Sequence, residues 1–129
     1  MSFEGLKVLV TGSTRGIGRA TAAAFLEHGA TVAVHGRRQE DVARAVDELG
    51  GKRLGAVSGD LSTRSTCYQV VETAMDELGG LDILVNNAGV FTEGPVGEVS
   101  EDTYDWLMSV NVKGVFFCSQ AAIPALRAA

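Results

Sequence analysis

The stretch KVLVTGSTRGIG, from Lys7 to Gly18, decides the fold of this chain. Its first four residues are mostly apolar and predict a buried parallel strand, and a helical pattern begins at Ile17. We expect Gly12 to allow a tight turn after the strand and Gly16 to let the backbone approach a pyrophosphate. We expect Gly18 to let the helix pack closely against the sheet. The orphan N–H groups at the N-terminus of the following helix then face the anion. A plain strand-to-helix turn is the alternative; the phosphate-site hypothesis includes Gly12, Ser13, Thr14, Arg15, Gly16, Ile17 and Gly18.

Strand and helix patterns alternate along the whole chain. The predicted strands are Lys7–Val10, Thr31–Val34, Arg53–Val57 and Leu81–Val85, and the predicted helices are 17–28, 39–49, 63–78 and 101–127. Four successive βα units predict an α/β fold with a Rossmann-like, doubly wound parallel sheet in strand order 3-2-1-4. We expect one domain over residues 1–129 and a ligand crevice between the carboxyl ends of strands 1 and 4.

Three local expectations accompany these elements. Helical spacing predicts that the first helix buries one face, formed by Ile17, Thr21, Ala24, Phe25 and His28. A serine, Ser62, precedes the third helix and is expected to cap it. A proline, Pro124, is expected to bend or shorten the end of the last helix.

Composition narrows the class of partner. The 129 residues carry a formal net charge of −5, which argues against a nucleic-acid partner or an anionic membrane surface. The longest uncharged apolar stretch, 114–126, is too short to span a bilayer. Cys67 and Cys118 lack the spacing of metal ligands and predict buried free thiols in a reducing cytoplasm, so no metal site is expected. The histidines His28 and His35 are solitary, and neither is assigned a catalytic role.

TGSTRGIG at 11–18 resembles the glycine loop of the short-chain dehydrogenase/reductase family, TGxxxGxG. It differs from the Gly-x-Gly-x-x-Gly of the ordinary dinucleotide-binding motif. Asn86-Asn87-Ala88-Gly89, directly after strand 4, matches a second motif of that family. The asparagines are expected to tie neighbouring strand ends together, and Ala88 and Gly89 to let a ribose approach the backbone. An ordinary turn is the alternative. The resemblance is greatest to 3-oxoacyl-carrier-protein reductase-like members and implies an adenine dinucleotide cofactor held in part by Asn87, Ala88 and Gly89.

The end of strand 2 predicts the choice of cofactor. In NAD-binding folds a carboxylate at this place binds the ribose hydroxyls. This chain has Gly36-Arg37-Arg38 there and no carboxylate. A guanidinium holds a 2′-phosphate bidentately, so Arg37 first and Arg15 second favour NADP(H), with NAD(H) as a weaker alternative. Arg37 and Arg38 are otherwise solvated charges at a helix entry.

Two further positions take their roles from the resemblance. The Asp60-Leu61 pair after strand 3 is expected to contact the adenine through the carboxylate and the next backbone N–H; Asp60 also suits a turn beside Ser62. The family's helix asparagine corresponds to Asn111, which is expected to bend the last helix locally and to hold a water of a proton relay. Without the resemblance, Asn111 is a solvated helix residue.

The family's acid/base pair, Tyr-x-x-x-Lys, does not occur in these 129 residues: Glu72 follows Tyr68 at that spacing and Met108 follows Tyr104. We therefore expect an NADP(H)-binding half of such an oxidoreductase, with little or no hydride transfer alone. A small reductase completed by oligomerisation and a non-enzymatic folding module are the alternatives. Because strand 4 lies at an edge, a homodimer is expected, through that edge or through the last helix.

Overall fold

The structure, a computed structural model, describes residues 2–129. Its strands are β1 (Lys7–Val10), β2 (Thr31–Gly36), β3 (Leu54–Ser58) and β4 (Ile83–Val85). Its α-helices are α1 (Gly16–Glu27), α2 (Gln39–Leu49), α3 (Arg64–Leu78), α4 (Glu101–Met108) and α5 (Gly114–Ala128). A 3₁₀ turn, Val96–Glu98, precedes α4, and a π-helical segment, Ser109–Lys113, joins α4 to α5.

The four strands form one parallel sheet in the order β3-β2-β1-β4, which confirms the predicted topology. β1 pairs with β2 and β4 on its two sides, with Val10 opposite Val34 and Val85. Because all strands run the same way, the loops that follow them open at one edge of the sheet. The glycine loop after β1 and the asparagine loop after β4 are therefore neighbours.

The core lies on both faces of β1. Its residues Val8, Leu9 and Val10 are completely buried, as expected of a central parallel strand covered on both sides. Leu9 packs into a cluster with α3 and α5, whereas Val8 and Val10 pack into a second cluster with Ala22 of α1. Alternate side chains of a strand point to opposite faces, so this division follows from the period of two. Among residues 2–129, no helix is both long and apolar enough to cross a membrane.

Strand boundaries differ from the predictions by one to two residues. β2 continues through Gly36, and β3 is shifted by one residue to Leu54–Ser58. β4 begins at Ile83, although Leu81 is also buried. At the start of β4 the carboxylate of Asp82 accepts the backbone N–H of Lys7 at 2.8 Å. The N–H of Asp82 still donates to the carbonyl of Lys7 at 2.8 Å, so a side chain replaces the main-chain partner only for the N–H of Lys7.

The predicted face of α1 is only partly correct: Phe25 packs against the second core cluster, but Ile17, Ala24 and His28 are exposed. Its first member, Ile17, is 80% exposed, and the buried residues are Gly18 and Ala22. Small side chains at these positions let α1 approach the sheet and the glycine loop closely. The contact face is thus centred on the smallest residues, and a periodicity count that gives weight to large apolar residues misses it.

The start of α3 differs from the prediction. Thr63, not Ser62, is the N-cap, and its hydroxyl accepts the N–H of Thr66 at 3.3 Å. Ser62 is held one residue earlier, because its N–H donates to the carboxylate of Asp60 at 3.0 Å.

The end of α5 lies within one residue of the predicted one: the helix continues past Pro124 to Ala128, so Pro124 does not shorten it. Ala122 is buried, and Ala125 and Leu126 pack against the core cluster on that side. This tertiary packing holds the last turn in spite of the missing N–H of the proline.

Candidate functional site

A cleft of about 930 Å³ opens at the carboxyl edge of the sheet. Most of the predicted site residues line this carboxyl-end cleft: Gly12, Thr14, Arg15, Gly16, Ile17, Gly36, Arg37, Arg38, Asp60, Leu61, Asn87, Ala88 and Gly89. Ser13, Gly18 and Asn111 do not line it, and their contacts show what they hold in place. The loops after β1, β2, β3 and β4 thus meet around one cavity, as the strand order requires.

The glycine loop has the backbone that its sequence predicts. Gly12 and Gly16 both have φ of +61°, in the left-handed region that suits glycine. A Cβ at Gly12 would lie 2.8 Å from the Cα of Ala88, so the two loops touch through backbone. A Cβ at Gly16 would meet nothing within 4 Å, which leaves that side of the loop open to the cleft. Since no side chain caps the start of α1, its first N–H groups are available to an anion.

Two glycine-loop positions lie beneath the cleft surface. Ser13 is completely buried; its hydroxyl donates to the carbonyl of Val10 at 2.7 Å and accepts the N–H of His35 at 2.9 Å. A Cβ at Gly18 would overlap the carbonyl oxygen of Gly12 and the side-chain amide of Asn87. Ser13 and Gly18 therefore support the loop from beneath, at positions that do not line the cleft.

Thr11 joins the loops after β1 and β4, a role that the sequence analysis missed. Its buried hydroxyl accepts the backbone N–H groups of Asn87 and Ala88, each at 3.0 Å. In return, the side-chain amide of Asn87 donates to the carbonyls of Thr11 and Gly12, at 3.2 and 3.0 Å. The position of a threonine directly at the end of β1 is the signal that was available in the sequence.

Positive charge lies on one side of the carboxyl-end cleft. Arg15, Arg37 and Arg38 are exposed and line the cleft, and none of them forms a salt bridge within residues 2–129. Their guanidinium groups are thus available to an anionic ligand. A Cβ at Gly36 would overlap the methyl group of Thr14, so a carboxylate side chain has no room there unless Thr14 moves.

The turn after β3 contributes Asp60 to the wall of the cleft and Leu61 to the core. Asp60 accepts the N–H of Ser62 and lines the carboxyl-end cleft, so its turn role is present and its side chain is beside the cavity. Leu61 is 5% exposed and belongs to the core cluster with α3 and α5. Burial of Leu61 anchors the turn and thereby places Asp60.

Asn111 lies in the π-helical segment, so the expected local distortion of the helix is present. Its Oδ1 accepts the N–H of Val90 at 2.7 Å, and its Nδ2 donates to the carbonyl of Val90 at 2.7 Å. These two bonds fasten the loop after β4 to the helix. A water-holding role for Asn111 stays a prediction.

The two cysteines are buried, as predicted, and the Cys67 thiol lies within hydrogen-bonding distance of the carbonyls of Leu61 (3.4 Å) and Gly114 (3.8 Å). Burial raises the pKa of Cys118 to about 12, with a further increase from the negative charge that Cys67 would carry. Thiols that stay protonated are poor nucleophiles and poor metal ligands. In the described part of the chain, no group of three or more metal-binding side chains comes together.

The sequence pattern of the short chain dehydrogenase family matches residues 6–129. A sorbitol dehydrogenase of Cereibacter sphaeroides is 38% identical over 126 residues, which cover 98% of this chain and 49% of the relative. The chain spans about half the length of the curated relatives it matches.

Solved structures of similar proteins support the same family assignment. A short chain dehydrogenase from Burkholderia cenocepacia, in complex with NADP, superposes with a TM-score of 0.90 at 36% identity, covering 98% of this chain and 53% of that one. A blue fluorescent protein from a metagenomic library, in complex with NADPH, gives 0.89 at 36% identity, covering 98% and 53%. With the fold and motifs described above, these matches show that the chain belongs to the short chain dehydrogenase family.

Proposed function

We propose that this chain is the NADP(H)-binding half of a short-chain dehydrogenase/reductase-type oxidoreductase, with residues 1–129 as one cytoplasmic dinucleotide-binding domain. The observation that carries the proposal is the convergence of four loops on one cleft, with an open glycine loop at the uncapped start of α1. Two structural relatives are described as complexes with NADP or NADPH, which supports the class of cofactor.

The arginines support a preference for the phosphorylated cofactor. Arg37 and Arg38 follow β2, where the ribose hydroxyls of an adenine dinucleotide are bound in this class of fold, and Arg15, in the glycine loop, lines the same cleft. The overlap between a Cβ at Gly36 and Thr14 disfavours the carboxylate that NAD(H) would require there. NADP(H) is therefore proposed as the preferred cofactor and NAD(H) as the weaker one.

A titration of the chain with NADPH and with NADH, followed by nicotinamide fluorescence, tests the proposal. Replacing Arg37 with Ala is expected to weaken NADPH binding by about 1.5–3 kcal/mol, the range for hydrogen bonds to charged groups. NADH binding should hardly change, because NADH lacks the 2′-phosphate. An equal loss for both cofactors would show that Arg37 does not contact that phosphate. Arg53, whose guanidinium approaches Glu4 at 3.8 Å, supplies the matched arginine-to-alanine control.

Hydride transfer by this chain alone is not expected. The cofactor, when bound, supplies the hydride, but a positioned acid typically contributes ~10²–10⁴-fold to the rate. The hydroxyl of Tyr68 donates a hydrogen bond to Oε1 of Gln120 at 2.7 Å, and neither Tyr68 nor Tyr104 lines the carboxyl-end cleft. Ketones and acyl thioesters with NADPH should therefore give background rates. Turnover near 1 s⁻¹, at the low end of ordinary enzymes, would instead support a small reductase completed by oligomerisation.

We also propose that the chain forms a homodimer. β4 is an edge strand whose residues are only half-buried, and such an edge pairs readily with another strand. The other candidate surface lies along α4 and α5, where Trp106, Val112 and Phe116 are exposed. Sedimentation at micromolar concentration should give about twice 13.5 kDa, and a monodisperse monomer with little binding of hydrophobic dyes would contradict this.

A further inference from the structure

His35 connects two walls of the carboxyl-end cleft from beneath. It lies in β2 and is 3% exposed. Its Nδ1 accepts the backbone N–H of Gly12 at 2.9 Å, and its Nε2 lies 2.9 Å from the carbonyl oxygen of Gly59. An N–H can only donate and a carbonyl can only accept, so these partners require the neutral tautomer with the proton on Nε2.

The backbone of His35 is held as firmly as its ring. Its N–H donates to the hydroxyl of Ser13 at 2.9 Å, and its carbonyl accepts the N–H of Ser13 at 2.7 Å. Because its backbone is fixed, the imidazole ring of His35 is positioned to form one hydrogen bond at each of its two nitrogen atoms. At one end is Gly12, the turn of the glycine loop, and at the other is Gly59, the residue before Asp60.

We propose that His35 is a positioning residue that, as a neutral Nε2–H imidazole, holds the glycine loop and the Gly59–Asp60 turn at the spacing that binds the adenosine part of the cofactor. This inference rests on the proposed function, because it concerns the affinity of the same cleft. The ring supports both loops through backbone atoms. His35 also lines the cleft, so a neutral amide in its place changes the geometry of the cleft and leaves its charge as it is above about pH 7.

Protonation would break this bridge. An imidazolium ring has two N–H donors, so it no longer accepts the N–H of Gly12. Burial lowers the pKa of His35 below its ordinary value of 6.5, although the bond to the Gly59 carbonyl acts in the opposite direction. On lowering the pH, His35 is therefore protonated in the unfolded chain before it is protonated in the folded one. Its contribution to the free energy of unfolding is fully present above about pH 6.5 and is lost as the pH falls through the lowered pKa of the folded state. The ionisable groups around the cleft are Arg15, Arg37, Arg38, Asp41, Arg44, Glu48 and Asp60.

Two amide substitutions separate the two hydrogen bonds. His35→Asn places an acceptor near the position of Nδ1 and keeps the bond from Gly12, whereas His35→Gln places a donor near the position of Nε2 and keeps the bond to Gly59. Neither side chain titrates. His28→Gln is the matched control, because His28 is exposed at the end of α1 and its Nδ1 contacts the carbonyl of Ala24.

The measurement is isothermal titration of the chain and its variants with 2′,5′-ADP and with NADPH, from about pH 8 down to about pH 5.5. At the upper pH we expect each His35 variant to bind both ligands about tenfold more weakly, or ~1.4 kcal/mol, and the His28 variant to bind as the wild type does. Because burial lowers the pKa of His35 from its ordinary 6.5, wild-type affinity should decrease more than that of either amide variant only as the pH approaches that lowered pKa. The 2′-phosphate also titrates, near pH ~6 for a phosphate monoester, but comparison of proteins on one ligand cancels that effect.

The outcomes separate this inference from the proposed function. If the wild type binds neither ligand, the proposed function fails and the role of His35 fails with it. If the wild type binds and the variants match its affinity and pH profile, cofactor binding by the cleft is supported and the role of His35 is refuted. Nitrogen NMR of the wild type supplies a test that needs no variant: the proton must be on Nε2 at about pH 8, and a proton on Nδ1 would overturn the inference.

Discussion

Replacing Gly18 with Ala tests whether the cleft depends on close contact between α1 and the loops after β1 and β4. The added methyl group would overlap the carbonyl oxygen of Gly12 and the side-chain amide of Asn87. The first is backbone, which cannot rotate away. The second donates two hydrogen bonds, at 3.2 and 3.0 Å, to the carbonyls of Thr11 and Gly12. Either α1 moves outward or Asn87 leaves its partners.

The cost follows from these contacts. Overpacking of a close-packed region costs about 1–3 kcal/mol, and the two hydrogen bonds of Asn87 contribute ~0.5–1.5 kcal/mol each. Alanine is favoured over glycine inside a helix by about 1 kcal/mol, which offsets part of this loss. We expect the free energy of unfolding to fall by about 2–3 kcal/mol. At a typical urea slope of ~1–3 kcal/mol per molar, the midpoint moves down by roughly 0.7–3 M.

Urea unfolding followed by circular dichroism measures the effect. Gly97→Ala is the matched control, since Gly97 lies in the 3₁₀ turn with nothing within 4 Å of an added Cβ; its change should stay within about 0.5 kcal/mol. In the double variant with Asn87→Ala the losses should be less than additive by ~0.5–3 kcal/mol, the range for residues in contact. A Gly18→Ala variant as stable as the wild type would refute the reasoning.

Three further predictions concern buried hydrogen bonds and thiols. Thr11→Val leaves the N–H groups of Asn87 and Ala88 without their acceptor, and urea unfolding should show a loss of about 2–4 kcal/mol; an unchanged midpoint would contradict the role of Thr11. Asn111→Ala removes both bonds to Val90, so hydrogen exchange at 86–92 should accelerate while α3 keeps its protection; unchanged exchange would mean that this loop is held otherwise. Because burial raises the pKa of Cys118 to about 12, a thiol reagent at about pH 8 should label the native protein slowly and the denatured protein fast, and rapid native labelling would refute this.

The sheet order followed from the sequence because strong local signals agreed. The apolar run of β1, the glycine turn and the apolar end of β4 each specify an element, and parallel pairing with right-handed crossovers leaves few topologies. Gly12 and Gly16 were also predictable, since their positive φ restricts the residue type. These positions are determined by local backbone geometry, which a sequence pattern records directly.

Two of the missed features are long-range, and two depend on local packing and hydrogen bonds. The roles of Thr11 and His35 depend on partners 76 and 24 residues away, respectively, and a solitary histidine carries no local signal of such a bridge. The buried face of α1 was missed because Gly18 and Ala22 make contact by being small. Thr63 displaced Ser62 as the cap of α3 because Asp60 engages the Ser62 N–H first.

The most direct test of the account is the amide spectrum of the ¹⁵N-labelled chain during addition of NADPH. We expect saturable shifts that are largest in the loops at 12–18, 36–38, 60–61 and 87–89, with smaller shifts on addition of NADH at the same concentration. Shifts confined to α4 and α5, or no saturable shift at all, would contradict the claim that the carboxyl-end cleft binds a dinucleotide.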